Sequence, residues 1–87
     1  MNLYLVRHTR VAVPSDICYG QSDVAVSDTF PDEAATIVKK LHDIRFQKVY
    51  SSPLSRCARL SEKLAHNVLF DNRLKELHFG DWEMKAW

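Results

Sequence analysis

Strand-like and helix-like segments alternate along this chain, and that alternation restricts the fold more than any other feature of the sequence. Lys48 to Ser51 is a β-prone run, Ser52-Pro53 is typical of a helix start, and Val68 to Phe70 is a second β-prone run. Between the two runs, apolar residues recur at helical spacing from Leu54 onward. A strand, a helix and a strand in this order predict an α/β fold whose mostly parallel sheet is covered on both faces.

Three further segments precede this unit. Leu3 to Val6 is an apolar run and predicts a first, buried strand. The stretch from Thr9 to Phe30 has neither helical nor strand periodicity and predicts a long loop, which in a small domain is usually functional. Pro31-Asp32-Glu33 is typical of a first helical turn. The predicted helix that follows has its apolar stripe at Ala34, Ile37, Val38 and Leu41.

Length, charge and cysteine content exclude several classes of protein. The 87 residues allow one small domain, residues 1–87, and 12 basic against 11 acidic residues give no charge footprint for nucleic acid or a membrane surface. Cys18 and Cys57 lack metal-ligand spacing, so we expect free thiols, no metal and no cofactor. The predicted first strand begins too close to Met1 for a signal peptide, and no apolar run reaches membrane-spanning length. We therefore expect a cytoplasmic protein.

Two arginines and a histidine occupy equivalent places in the predicted topology. Arg7-His8 directly follows the first predicted strand, and Arg56 lies in the first turn of the helix after the next strand. Ligands of open α/β sheets bind beyond the carboxyl ends of the strands, so we expect these side chains to converge if the strands are neighbours. Two guanidinium groups can hold a phosphate or carboxylate through paired hydrogen bonds. An imidazolium between them is disfavoured, which leaves His8 neutral near neutral pH and able to act as nucleophile or base.

This constellation suits phosphoryl transfer. A neutral imidazole can attack phosphorus while the arginines neutralise the phosphate oxygens, and the product is a phosphohistidine. The departing alkoxide needs a proton, for which Glu76 is the candidate donor. The alternative for Arg7-His8 is a strand that simply ends in polar residues.

Three blocks of the sequence resemble the histidine phosphatase superfamily, the phosphoglycerate mutase-like branch 1. Leu5-Val6-Arg7-His8-Thr9 is similar to the family's strand and Arg-His-Gly motif, with Thr9 in place of the glycine. Ser52-Pro53-Leu54-Ser55-Arg56-Cys57 resembles its Ser-x-Leu-x-Arg-Ala block. Leu74 to Glu83 resembles the block that carries the family's proton-donating glutamate, which falls on Glu76. The resemblance implies a phosphoglycerate mutase-like three-layer sandwich with a mostly parallel sheet, of which this chain is a truncated N-terminal part.

The resemblance also implies roles for individual residues. His8 is the phosphorylated nucleophile, Arg7 and Arg56 bind phosphate, and Glu76 is the acid. The segment Cys18 to Asp23 is most similar to α-ribazole phosphatases of cobalamin biosynthesis, which implies that Tyr19, Gly20 and Gln21 contact a small phosphorylated substrate. The expected function is a phosphomonoesterase acting on α-ribazole 5′-phosphate. A phosphoglycerate mutase and a non-catalytic phosphate-binding module are the alternatives.

One feature of the family has no match in this sequence. Family members are considerably longer and carry a second active-site histidine in a His-Gly motif, and none of His42, His66 and His78 lies in such a motif. We therefore expect an N-terminal half with weak phosphate binding and impaired turnover. The missing elements would leave an exposed sheet, which self-association would cover.

Overall fold

The computed structural model describes residues 2–87. In chain order its elements are helix α1, strand β1, helix α2, strand β2 and two short 3-10 turns. Their bounds are Phe30–Leu41 for α1, Val49–Ser51 for β1, Ser55–Leu64 for α2, Val68–Phe70 for β2, and Asn72–Leu74 and Gly80–Trp82 for the turns.

The central unit is the predicted strand, helix and strand. β1 and β2 pair in parallel, with Val49 opposite Val68 and Ser51 opposite Phe70. Parallel neighbours need a crossover connection, and α2 supplies it. The predicted parallel α/β arrangement is thus confirmed, and β2 has the predicted bounds.

The hydrophobic core lies between the two helices. Phe30 and Ala34 of α1 and Leu60 of α2 are almost fully buried and pack together. The sequence assigned Phe30 to the preceding loop, but this residue opens α1 because its ring belongs to the core. The partly buried residues around this cluster are Val26, Ile37 and Leu64.

Helix α2 begins later than the sequence predicts. Ser52-Pro53 was the expected start, whereas the first helical residue is Ser55, preceded by the buried Leu54. The backbone of Leu54 is extended (φ −61°, ψ 140°), so the helix can start only after it. At this start Asp23 of the long loop accepts hydrogen bonds from the Ser55 backbone N–H (2.7 Å) and hydroxyl (2.9 Å). Asp23 therefore supplies the negative charge that a helix N-terminus favours.

The predicted first strand does not form in this chain. Leu3 to Val6 has no strand pairing within residues 2–87, and Leu5 is 89% exposed. A strand requires a hydrogen-bonded neighbour, and the described part of the chain places none beside this segment. The sheet is not covered on both faces in this chain, because Tyr50 of β1 and Phe70 of β2 stay about half exposed, which agrees with the exposed sheet expected of an N-terminal part.

The long loop before α1 is held by two sets of backbone contacts. Val11 bridges Val26 in antiparallel fashion, and Ile17 bridges Ala86 near the end of the chain. The Cys18 N–H also donates to the Lys85 carbonyl at 2.8 Å. These contacts place residues 19–23 beside both α2 and the segment 76–87. No helix of residues 2–87 combines the length and the apolar character needed to cross a membrane.

Candidate active site

An open cleft of about 590 Å³ brings together the main residues that the sequence singled out. Five predicted site residues line it although they come from four separate parts of the chain, namely Arg7, His8, Tyr19, Arg56 and Glu76. The predicted convergence of Arg7-His8 with Arg56 is therefore present without a formed first strand. The other lining residues are Ser15, Ile17, Ser52, Leu54, Cys57, Leu74, Lys75, Phe79 and Trp87.

His8 is oriented by its own backbone neighbour. Its Nδ1 lies 2.7 Å from the carbonyl oxygen of Thr9, which can only accept, so Nδ1 carries the proton. In the neutral imidazole this leaves a lone pair on Nε2, the atom that would attack phosphorus. Thr9 is a firm support because it is buried, whereas His8 itself is half-buried. The hydroxyl of Thr9 has no hydrogen-bond partner in residues 2–87.

Arg56 is a buried cation fixed by the long loop. It is only 2% exposed, and its two terminal nitrogens donate to the carbonyls of Gly20 (2.6 Å) and Ser22 (2.7 Å). Its guanidinium also lies over the Tyr19 ring, 5.0 Å from the centroid. Because a guanidinium has five N–H groups, these two bonds leave donors available for an oxyanion in the cleft.

Arg7 and Glu76 complete the predicted set from more exposed positions. Glu76 lines the cleft, and its Oε1 accepts from the Leu77 backbone N–H at 2.9 Å. Arg7 lines the same cleft and is exposed. Lys75 adds a further cation that the sequence reading did not single out, although its place beside Glu76 could have suggested it. The cleft thus holds three cations, an oriented imidazole and one carboxylate.

Glu83 is the polar residue near the site that sequence reasoning missed. Its carboxylate accepts from the backbone N–H groups of Gly20 (2.9 Å), Ser22 (2.9 Å) and Phe79 (3.0 Å), and from the Ser22 hydroxyl (2.6 Å). The hydrogen bond from the Ser22 hydroxyl, with those from the three N–H groups, lowers the pKa of Glu83 to about 2. Its partners at positions 20 and 22 are more than 60 residues away in sequence, so no local pattern could reveal them.

Comparison with known proteins assigns the arrangement to a family. The profile of the histidine phosphatase superfamily (branch 1) matches residues 3–87, nearly the whole chain. This chain belongs to the histidine phosphatase superfamily. The predicted family resemblance is confirmed.

Relatives of this histidine phosphatase chain include both mutases and phosphatases. It is 30% identical to the "Probable phosphoglycerate mutase GpmB" of Erwinia tasmaniensis over 98% of this chain and 42% of that protein. A mycobacterial glucosyl-3-phosphoglycerate phosphatase is 26% identical with a TM-score of 0.85, over 91% of this chain and 40% of that one. The chain therefore spans about two fifths of the length of the relatives it matches.

A third similar structure supports the fold alone. It is an Escherichia coli K-12 protein provisionally assigned as an α-ribazole-5′-phosphate phosphatase, with a TM-score of 0.85 and 23% identity. The match covers 93% of this chain and 43% of the Escherichia coli chain. The α/β fold predicted from the sequence is the fold of these proteins.

Two of the predicted substrate-binding residues of the histidine phosphatase chain lie outside the lining of the cleft. Gly20 is buried, and a Cβ built on it would lie 1.9 Å from the carbonyl oxygen of Leu77, so this position needs glycine for close packing. Gln21 is exposed. Their contact with substrate stays a prediction.

A second open cleft, of about 550 Å³, adjoins the first. It shares four lining residues with the first cleft, Arg7, His8, Ser15 and Tyr19. Residues 2–87 bring together no group of three or more side chains of the metal-binding types His, Cys, Asp and Glu.

Proposed function

We propose that this chain carries the nucleophile and the phosphate clamp of a phosphomonoesterase that works through a phosphohistidine. The observation that supports this most directly is the orientation of His8. Its Nδ1 is bound by the Thr9 carbonyl, and the ring lines a cleft shared with Arg7 and Arg56. A neutral imidazole with a free Nε2 beside two guanidinium groups is suited to attack phosphorus.

In the first step, Nε2 of His8 forms a bond to phosphorus while the bond from phosphorus to the ester oxygen breaks. Arg7 and Arg56 neutralise the phosphoryl oxygens during this transfer. Glu76, in its protonated form, gives its proton to the departing alkoxide. In the second step, the Glu76 carboxylate takes a proton from water, the water oxygen bonds to phosphorus, and the bond to Nε2 breaks. Inorganic phosphate leaves and His8 is restored.

For the substrate, we propose α-ribazole 5′-phosphate, in the cytoplasm and as part of cobalamin biosynthesis. This rests on the resemblance of Cys18 to Asp23 to α-ribazole phosphatases. The cleft is consistent with a leaving group that contains a planar ring, because Tyr19, Phe79 and Trp87 line it.

Phosphoglycerate mutase activity is the second candidate, and the similarity to GpmB supports it. The two activities differ in the acceptor of the phosphoryl group. Water as the acceptor gives free phosphate, whereas a phosphorylated hydroxy acid that stays bound gives an isomerised product.

The test is covalent labelling of the chain with a phosphomonoester that carries radioactive phosphate, using α-ribazole 5′-phosphate and 3-phosphoglycerate in parallel. We expect acid-labile, alkali-stable label on the wild-type chain and none on His8→Ala. His66→Ala is the matched control, because His66 is exposed and does not line the cleft. Label that persists in His8→Ala would exclude the mechanism. Phosphate binding without any label would instead indicate a non-catalytic phosphate-binding module.

A further inference from the structure

The loop segment Gly20 to Ser22 is bound by two oppositely charged side chains that divide its backbone groups between them. The N–H groups of Gly20 and Ser22 both donate to the Glu83 carboxylate at 2.9 Å. The carbonyls of the same two residues both accept from the Arg56 guanidinium, at 2.6 and 2.7 Å. At Gly20 and Ser22 the N–H groups bind the anion and the carbonyls bind the cation, so these four bonds are charge-assisted. The Ser22 carbonyl also accepts from the Val24 N–H at 3.0 Å.

Glu83 and Arg56 are linked through this segment rather than by direct contact. No ion pair joins them in the part of the chain that the structure describes. Arg56 lines the cleft and Glu83 does not. Glu83 can therefore reach Arg56 through the position of the Gly20 and Ser22 carbonyls, and it reaches the cleft separately through Phe79, a lining residue whose N–H it also accepts from.

We propose that Glu83 is a positioning residue for the phosphate site, which holds the Gly20 to Ser22 segment so that its carbonyls aim the Arg56 guanidinium into the cleft. The inference rests on the proposed function, because it assigns Arg56 to phosphate. The Tyr19 ring, on which the guanidinium lies, directly precedes the held segment. Arg56 is buried, so without these acceptors its charge would lack partners and the guanidinium would reorient.

The position requires a carboxylate. All four groups that face Glu83 are hydrogen-bond donors, three backbone N–H groups and the Ser22 hydroxyl. An amide of the same shape has one oxygen, so its NH₂ group must face donors whichever way it is turned. Glu83→Gln therefore breaks bonds to the loop with almost no change in side-chain volume.

The test follows the Arg56 side chain directly. Nitrogen NMR of the guanidinium in the 87-residue chain should give separate terminal-nitrogen signals in wild type, because two hydrogen bonds restrict rotation. In Glu83→Gln we expect these signals to merge. Inorganic phosphate, titrated into the same samples, should bind roughly 10-fold more weakly, as small misplacements of a binding group commonly cost that much or more.

Two control variants separate positioning from general loss of structure. Glu62→Gln removes an equal charge from an exposed position on α2, and Leu60→Ala destabilises the core, whose cluster does not include Gly20, Gln21 or Ser22. Neither should merge the Arg56 signals or weaken phosphate binding at a temperature where the protein stays folded. If Glu83→Gln does not fold, Ser22→Ala can replace it, because this variant removes only the hydroxyl bond to Glu83. It should also bring the Arg56 terminal-nitrogen signals closer together, but by less than Glu83→Gln.

Unchanged Arg56 signals in Glu83→Gln, or equal loosening in Leu60→Ala, would overturn the proposal. A wild-type chain that does not bind phosphate would overturn the proposed function separately. In that case merged signals in Glu83→Gln would still establish that Glu83 orients Arg56.

Discussion

Two segments lead into the cleft, and they are held in different ways. Gly20 to Ser22 is bound by the charges of Glu83 and Arg56, whereas Leu3 to Val6, which leads to Arg7-His8, is exposed and unpaired within residues 2–87. The hydrogen-bonding groups of a polar segment are satisfied once each donor has an acceptor, and a few residues can provide these partners. An apolar strand gains stability only when neighbouring strands and helices cover it. The loop segment is therefore the better fixed of the two, although it lies behind the lining of the cleft.

The largest effect is expected where a methyl group is forced into the fixed loop segment Gly20 to Ser22. Gly20→Ala places a Cβ against the Leu77 carbonyl and near Glu83, and backbone atoms cannot move aside cheaply. We expect a loss of about 3 kcal/mol in unfolding free energy, measured by denaturant titration. Gly80→Ala is the matched control: Gly80 has a φ of 61° but nothing within 4 Å of the added Cβ, so about 1 kcal/mol is expected. Equal losses in the two variants would mean that the loop is not tightly packed.

Thiol reactivity offers a second measure of how firmly the loop is held. Burial, and then the nearby Glu83 charge, raise the pKa of the Cys18 thiol, while Cys57 is half-buried and lines the cleft. We expect iodoacetamide to modify Cys18 on the order of 100-fold more slowly than Cys57, because Cys18 must wait for local opening. Peptide mapping by mass spectrometry gives both modification rates. In Cys57→Ser only the slow modification of Cys18 remains to be measured. Similar rates would contradict a fixed loop.

Acid should weaken the loop and leave the Leu3 to Val6 segment unaffected. The pKa of Glu83 is about 2 in the folded chain against an ordinary 4.5, so its stabilising contribution is complete above pH 4.5 and is lost as the pH falls toward 2. Thermal melts across that range should show a declining Tm. Glu83→Gln should have a flatter profile and a lower Tm at neutral pH.

Asp71 provides the control for this titration. The hydrogen bond from Arg73 likewise lowers the pKa of Asp71 to about 2, but Arg73 is exposed and solvent screens the pair. Asp71→Asn should therefore change the profile less than Glu83→Gln does. The reverse order would place the acid-sensitive contact outside the loop.

The smallest effect is expected in the Leu3 to Val6 segment, at a side chain that points into solvent. Leu5 is 89% exposed, so Leu5→Ser should change the unfolding free energy of this chain by less than about 0.5 kcal/mol. Leu60→Ala, at a position 3% exposed, should cost about 3 kcal/mol in the same titration. A large loss in Leu5→Ser would show that the segment packs in solution, and the contrast between the two segments would disappear.

Local patterns predicted the elements whose stabilising contacts are local. The parallel β1 and β2 and the helix between them follow from periodicity and turn residues, and Arg56 lies in the first turn of that helix as predicted. His8 lines the same cleft as Arg56 although the strand predicted before it does not form. The sequence could not show that Leu3 to Val6 would stay exposed, since a strand depends on neighbours that its own pattern does not identify. Nor could it reveal the bonds of Asp23 to Ser55 or of Glu83 to Gly20 and Ser22, because these partners lie 32 or more residues away.

The hydrogen bonds between Asp23 and Ser55 affect the selectivity of the cleft among anions. An open helix N-terminus attracts any small anion with little discrimination, but at α2 part of that attraction is already satisfied by a carboxylate of the chain itself. The choice between anions then depends more on the side-chain cations. The planar guanidinium groups of the two arginines match an anion with several oxygens on one atom better than they match an anion such as chloride. Phosphate esters should therefore compete well against chloride and acetate in this cleft.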